Sequence, residues 1–196
     1  MRSEGLRPIP VWHLGTEKEF LLAYLDQADF VGISLRKDTD AKKQIPELDD
    51  LWLYYLIDHS GFPKAKFHLF GVASLPVISR YPWWSFDSTS WVQTAKFGGI
   101  YLPKAPNGIP SFNQIPSSVP VSNRSSDKDN HLLNLNRSKQ KYAKARITSA
   151  ELQFELNHNL DDQYTRYAIN MAHFYNVAAI QPRWPWRFTR EQIRYG

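Results

Sequence analysis

The first ninety or so residues alternate apolar, strand-like runs with single amphipathic helices, and this alternation constrains the fold more than any other feature of the chain. Residues 9–14 (IPVWHL) read as a buried strand. The run Thr16-Glu17-Lys18-Glu19 then has the form of a capping box, followed by Phe20, Leu21, Tyr24 and Leu25 at helical spacing. A second strand spans 29–35 (DFVGISL). Pro46 stands near the start of a helix with Leu48, Leu51, Trp52, Tyr55 and Leu56 on one face, which Ser60-Gly61 should end. Residues 66–73 form a third strand, Ser74 is placed to cap a short helix ending before Pro82, and 84–88 form a fourth strand. Strands separated by single helices imply a parallel sheet, because parallel neighbours need a crossover. Four such strands make either an open α/β sheet or half of an eight-stranded barrel.

The chain changes character after residue 102. Residues 103–130 are rich in Pro, Ser and Asn with little periodicity and read as a long loop. Residues 131–196 read as a basic helical region packing on the strands. One helix is expected near 149–157, and another from Asp161 or Asp162 carrying Tyr164, Tyr167, Ala168, Met171, Phe174 and Tyr175. The segment Arg183-Trp184-Pro185-Trp186-Arg187-Phe188 mixes rings with cations; packing back onto the strands is favoured over stacking on bases.

With no cysteine, the chain has neither disulfides nor thiolate zinc ligands. No stretch approaches the roughly 20 apolar residues of a membrane span, and no signal-peptide core is present at the start, so a cytoplasmic protein without membrane contact is expected. The net charge is +5. The excess is concentrated between Arg124 and Arg146, where Arg137, Lys139, Lys141, Lys144 and Arg146 cluster. Such a cluster suits a phosphate backbone or, equally, a solvated helix face.

Asp87 is the strongest candidate for chemistry. It ends an apolar strand between Phe86 and Ser88, where an acid is costly unless it is paired or has a role. Ser88, Thr89 and Ser90 are placed to hydrogen-bond it, though Asp-Ser-Thr-Ser is also good turn chemistry. His13 and His68, on other strands, make a weak metal set with Asp87. His59, His131, His158 and His173 lack ligand spacing and read as surface or satisfied polar residues.

The stretch from Phe67 to Ser88 resembles the last two barrel strands of the tRNA-guanine transglycosylase superfamily, which includes phage and bacterial enzymes that insert 7-deazaguanines into DNA. That family has a strand ending Leu-Met-Gly-Val-Gly, then about 16 residues, then Phe-Asp-Cys or Phe-Asp-Ser. Here the matching residues are Leu69-Phe70-Gly71-Val72-Ala73 and Phe86-Asp87-Ser88. The segment 29–35 resembles the family strand ending Gly-Gly, with Ser34 and Leu35 replacing the glycines, and 10–15 resembles the strand before it, with His13 at a base-pocket position. The resemblance covers about residues 8–100. The family's first four strands have no counterpart, and its zinc ligands are missing.

The resemblance implies a partial (β/α) TIM-type barrel of about four parallel strands plus C-terminal helices. It implies a pentosyltransferase that exchanges guanine for a 7-deazapurine in DNA or tRNA. Asp87 takes the nucleophile's role, and Phe70, Gly71, Val72, His13 and Ser34 take base-binding roles. Because the family's zinc ligands are missing from this chain, no metal and no cofactor are expected. A homodimer or a second polypeptide would complete the barrel. The competing readings are a nucleic-acid-binding protein without catalysis and a truncated remnant.

Overall fold

The structure is a computed structural model that describes residues 5–148 and 159–191. The helix expected over 149–157, and His158, lie outside the described residues. The chain divides into two compact units, Met1–Ser88 with Pro182–Gly196, and Thr89–Gln181. The division at Ser88 differs from the sequence reading, which continued the first region to residue 102 and kept 131–196 together.

The first unit is mixed α/β. Its strands are β1 (Val11–His13), β2 (Phe30–Ser34), β3 (Lys66–Phe70) and β4 (Ser85–Phe86), hydrogen-bonded in that order with every neighbour parallel. Between them lie α1 (Lys18–Leu25), α2 (Ile45–Leu51) with a π-helical turn at Trp52–Leu56, and α3 (Leu75–Ile78). The alternation read from the sequence therefore stands, although local signals differ. Glu17, not Thr16, is the N-cap of α1, and it makes no side-chain cap bond. The Thr16 hydroxyl instead donates to the His13 carbonyl at 2.8 Å and closes the turn out of β1. Gly61 (φ +86°) lies in a turn past the helix end, where Asp58 Oδ1 accepts from the amides of Ser60 and Phe62.

Side chains alternate across strands, so each strand offers one set of residues to each face. One face presents Trp12, Leu14, Val31, Ile33, Phe67 and Leu69, all buried in a single cluster with Leu21 of α1, Leu48 and Leu51 of α2, and Val77 and Ile78 of α3. Trp52 sits at its centre, with ring centroids 5.1–6.1 Å from Phe67, Tyr81, Trp83 and Phe188. The C-terminal segment does pack back: Phe188 is fully buried there, and its amide donates to the Gly61 carbonyl at 2.9 Å. Asp49 is buried against Arg80 (Nε–Oδ1 2.8 Å) and also accepts from the Tyr81 hydroxyl at 2.9 Å, so the charge is paired and hydrogen-bonded, as burial requires. The opposite face carries Val11, His13, Gly32, Ser34, Lys66, His68, Phe70 and Ser85, of which only Gly32 is fully buried.

The second unit contains α4 (Ser90–Lys96), β5 (Gly99–Leu102), β6 (Ser117–Pro120), α5 (Arg137–Ile147) and α6 (Gln163–Ala179). The segment expected to be loop supplies β6, which pairs antiparallel with β5. Ile100, Leu102, Val119, Ile147 and Ile169 form a separate core. Asp162 caps α6, accepting from the Thr165 amide at 2.7 Å, which favours its charged form and lowers its pKa. Asn170 is fully buried: its Oδ1 accepts from the Tyr101 amide (2.7 Å), and its Nδ2 donates to the Trp91 carbonyl (3.0 Å). It thereby ties α6 to β5 and α4. The α6 stripe chosen by apolar spacing is the inner one only in part: Tyr167 and Phe174 pack on Trp91 and Tyr101. Tyr164, Met171 and Tyr175 are exposed, while Arg166, Ile169, Asn170, His173 and Val177 are buried. His131 and His173, read as surface or satisfied residues, are buried, and each has one ring nitrogen without a hydrogen-bond partner. No helix of the described residues is long and apolar enough to cross a membrane.

His173 makes the stability of the second unit depend on pH. Its ring lies among Tyr101, Phe112 and Phe174, and burial pushes its pKa from 6.5 down to about 4. The unfolded chain binds this proton more readily, so the stabilisation is complete above pH 6.5 and is lost as pH falls toward 4. The loss by pH 4 is on the order of 3 kcal/mol. Urea titrations between pH 7 and 4.5 should show that loss in the wild type and a much flatter profile in His173→Phe.

Candidate functional site

The candidate residues gather at the carboxyl edge of the parallel sheet. Parallel register sets His13 of β1 beside Ser34 of β2, and Ser34 beside Phe70 of β3. These three therefore form one row across the half-exposed face. Gly71 and Asp87 follow immediately on β3 and β4. Strand carboxyl ends are where parallel α/β sheets bind ligands, because the loops that follow can vary without disturbing the sheet.

Asp87 is fixed by β3 and by the turn that leaves it. Its amide donates to the Leu69 carbonyl (3.2 Å), and its carbonyl accepts from the Val72 amide (2.9 Å). Its Oδ1 accepts from the Gly71 amide at 2.6 Å. That last bond exists because Gly71 adopts φ +69°, a left-handed turn that glycine takes without a Cβ penalty. A Cβ at Gly71 would meet no atom within 4 Å, so the space beside this amide is open. Asp87 Oδ2 lies 3.6 Å from His68 Nε2, with the carboxylate side chain 56 % exposed and the imidazole 17 %. The other ring nitrogen, Nδ1, is 2.8 Å from the Ser85 hydroxyl. Ser85, His68 and Asp87 thus form a chain of polar groups whose carboxylate end is open to solvent.

Phe70 lies across the same face. A Cβ built on Gly32 would run into its ring, so the ring rests directly on the β2 backbone. Its centroid is 4.3 Å from that of His68, edge to face. The residue is half-exposed, leaving an aromatic surface next to His68. Val72 is placed differently from the other motif residues. Its side chain is buried in the core cluster, and only its amide takes part, holding the Asp87 backbone. Among the described residues no group of three His, Cys, Asp or Glu could hold a metal ion, so His13, His68 and Asp87 do not form a metal site.

The His68–Ser85 contact is the feature sequence reasoning missed. Its signal is the parallel register, in which His68 stands opposite Ser85, a pairing that no local motif spells out.

The basic residues lie on α5 of the second unit. Asn136 caps the helix, accepting from the Lys139 amide at 2.9 Å. At about 100° per residue, Arg137, Lys141 and Lys144 share one flank, while Lys139 and Arg146 fall on the other. The five cations therefore form two stripes rather than one patch. Four of them are exposed; Arg146 is half-buried, its guanidinium 5.8 Å from the Tyr142 ring centroid.

Compared with protein-family models, curated proteins and solved structures, the chain matches none.

The Gly32–Phe70 contact can be tested directly. Gly32→Ala should displace the Phe70 ring and cost about 1–3 kcal/mol as an overpacked site. Chemical denaturation would read the cost, and the Phe70 ring shifts in NMR would read the displacement. A variant with wild-type stability and unmoved ring signals would contradict the packing described.

Proposed function

We propose that the chain is the Asp87-bearing part of a base-exchange enzyme that replaces guanine by a 7-deazapurine in DNA or tRNA. The observation that carries this reading is the Asp87 carboxylate, held by the Gly71 amide at the carboxyl edge of a parallel sheet, 3.6 Å from a His68 ring on which the Phe70 ring packs. The resemblance of Leu69-Phe70-Gly71-Val72 and Phe86-Asp87-Ser88 to the transglycosylase motifs supports the same assignment.

In this reading an Asp87 oxygen attacks the sugar C1′ while the C1′–N9 bond breaks and its electron pair leaves with guanine. The resulting aspartyl-glycosyl ester is then opened by the incoming base at C1′, which restores the carboxylate and the original stereochemistry. The departing purine gains a proton and the incoming base loses one. His68, oriented by Ser85 and 3.6 Å from Oδ2, is a proton-carrying group within the site. Phe70 offers a stacking surface for the base, and the open space at Gly71 lets the base approach the backbone. The nucleotide must first leave its stack. His13 and Ser34 extend the same row and border the base, whereas Val72 acts through its backbone.

We also propose that the four-stranded sheet belongs to a TIM-type barrel completed by strands from a second copy or another polypeptide. Parallel sheets are normally covered on both faces, and here one face is packed with helices while the residues of the other are mostly half-exposed.

The test is incubation of the chain, alone and co-expressed with neighbouring gene products, with a guanine-containing oligonucleotide and labelled 7-deazaguanine. Label should enter the nucleic acid, and a denaturant-stable protein adduct should form. Asp87→Asn should abolish both; exchange that survives this substitution would remove Asp87 as nucleophile.

A second reading, nucleic-acid binding without catalysis, is favoured by the exposed cations of α5. Lys141→Glu with Lys144→Glu should weaken binding and lower the slope of log K against log salt by about 2, since each phosphate contact contributes roughly 0.9. Binding indifferent to both changes would exclude this flank as the contact surface.

A further inference from the structure

The second unit holds a cavity of about 740 Å³ whose lining includes Lys96, Phe97, Arg124, Asp161 and Arg166. Three pieces of backbone close around it: the turn after α4, the loop after β6 and the entry to α6. The Gly98 carbonyl accepts from the amides of Val121 (2.8 Å) and Ser122 (3.1 Å), and a Cβ at Gly98 would stand 3.0 Å from that of Ser122, so turn and loop are in close contact. Asp161 ties the same loop to α6. It accepts from the Ser122 hydroxyl at 3.0 Å and from the main-chain and side-chain amides of Asn123, each at 2.6 Å. The walls are thus fixed by the unit's own hydrogen bonds.

Arg166 is the unusual member of the lining. It is only 4 % exposed, and a guanidinium carries five N–H donors. Nε donates to the Ala95 carbonyl at 2.8 Å and Nη1 to the Leu160 carbonyl at 2.7 Å. Among the described residues Nη2 has no protein partner, and no carboxylate lies within ion-pair distance of the group. Burial pulls its pKa below the ordinary arginine value, a pull that the charges of Asp161 and Asp162 do not cancel. A buried cation without a bonded anion is costly. Lys96 and Arg124 are exposed at the same cavity, and among the described residues their charged ends make no hydrogen bond or ion pair. The two acids of the lining are already engaged, Asp161 with the loop and Asp162 with the Thr165 amide at 2.7 Å. What the cavity offers a ligand is therefore the N–H donors of three cations. Beside them stands Phe97, whose side chain belongs to a residue 74 % exposed.

We propose that this cavity binds a nucleoside monophosphate, with the phosphate on Arg166, Lys96 and Arg124 and the base against Phe97. A phosphate monoester brings three terminal oxygens to donors arriving from three side chains, and the planar guanidinium matches two of those oxygens at once. A carboxylate has only two. The volume suits a small molecule. An exposed aromatic ring next to a phosphate site is a stacking surface, and stacking is tolerant of which base is present. The proposal stands on the second unit alone and is independent of the base-exchange reading.

The test is calorimetric titration of the whole chain at low ionic strength with adenosine 5′-monophosphate, adenosine and inorganic phosphate. Adenine is the wrong base for a guanine site at Asp87, so that site does not contribute. The monophosphate should bind once per chain and at least about tenfold tighter than adenosine or inorganic phosphate. Lys96→Gln and Arg124→Gln, at exposed positions, should each weaken it about tenfold with an unchanged circular dichroism melt. Phe97→Ala should weaken it about tenfold and leave phosphate binding unaltered. Arg166→Gln removes two structural bonds as well, so the exposed variants decide the matter. Adenosine binding as tightly as its monophosphate, inorganic phosphate binding as tightly as the nucleotide, or nucleotide affinity indifferent to Lys96→Gln and Arg124→Gln would each overturn the proposal.

Discussion

Trp52 holds the first unit together. Its indole meets Phe67 from the sheet, Tyr81 and Trp83 from the segment between α3 and β4, and Phe188 from the C-terminal return. Aromatic side chains bury large areas and favour tilted and edge-to-face contacts, so one ring can orient several others. The contact with Phe188 also explains Gly61. A Cβ there would come within 2.9 Å of the Phe188 carbonyl, and φ at Gly61 is +86°, so both approach and conformation call for glycine. All of this packing lies on one face of the sheet. The other face is left to Phe70, His68 and the row of polar residues that leads to the strand ends.

One-sided burial determines what the carboxyl edge can do. Asp87 is not held by a loop of its own. Its amide, carbonyl and Oδ1 are bonded to Leu69, Val72 and Gly71, so its position follows the register of β3 and β4 and the turn that leaves β3. The Asp87 backbone is thus set by the strand register, and its carboxylate by the glycine turn that leaves β3. Oδ2 is left facing His68 and solvent.

Much of the first unit was legible because parallel β/α structure repeats a simple pattern. Val31, Ile33, Phe67 and Leu69 are apolar runs bounded by helices with clear periodicity, and the strand order followed. The hairpin of the second unit was not legible. Ser117-Ser118-Val119-Pro120 has little alternation and contains a proline, and its pairing with β5 spans a long connection. The placement of Asp87 beside Gly71 followed from motif spacing. The Ser85–His68 contact did not, because a cross-strand pair depends on register, which one sequence shows only through turn and burial patterns.

Helix α6 shows where periodicity fails and why. Counting apolar residues selects the stripe through Tyr164, Met171 and Tyr175, yet the residues turned inward include Arg166, Asn170 and His173. Asn170 serves the Tyr101 amide and the Trp91 carbonyl, and Arg166 serves the Ala95 and Leu160 carbonyls. Backbone groups near β5 and α4 that cannot all find partners in a short hairpin are satisfied by side chains of the helix, and an unmade bond there would cost more than a polar side chain does. Once the inner face is committed to polar work, the apolar stripe has nowhere to go but outward. A helix patterned in this way leaves the hydrophobic contribution of its rings uncollected in the isolated unit.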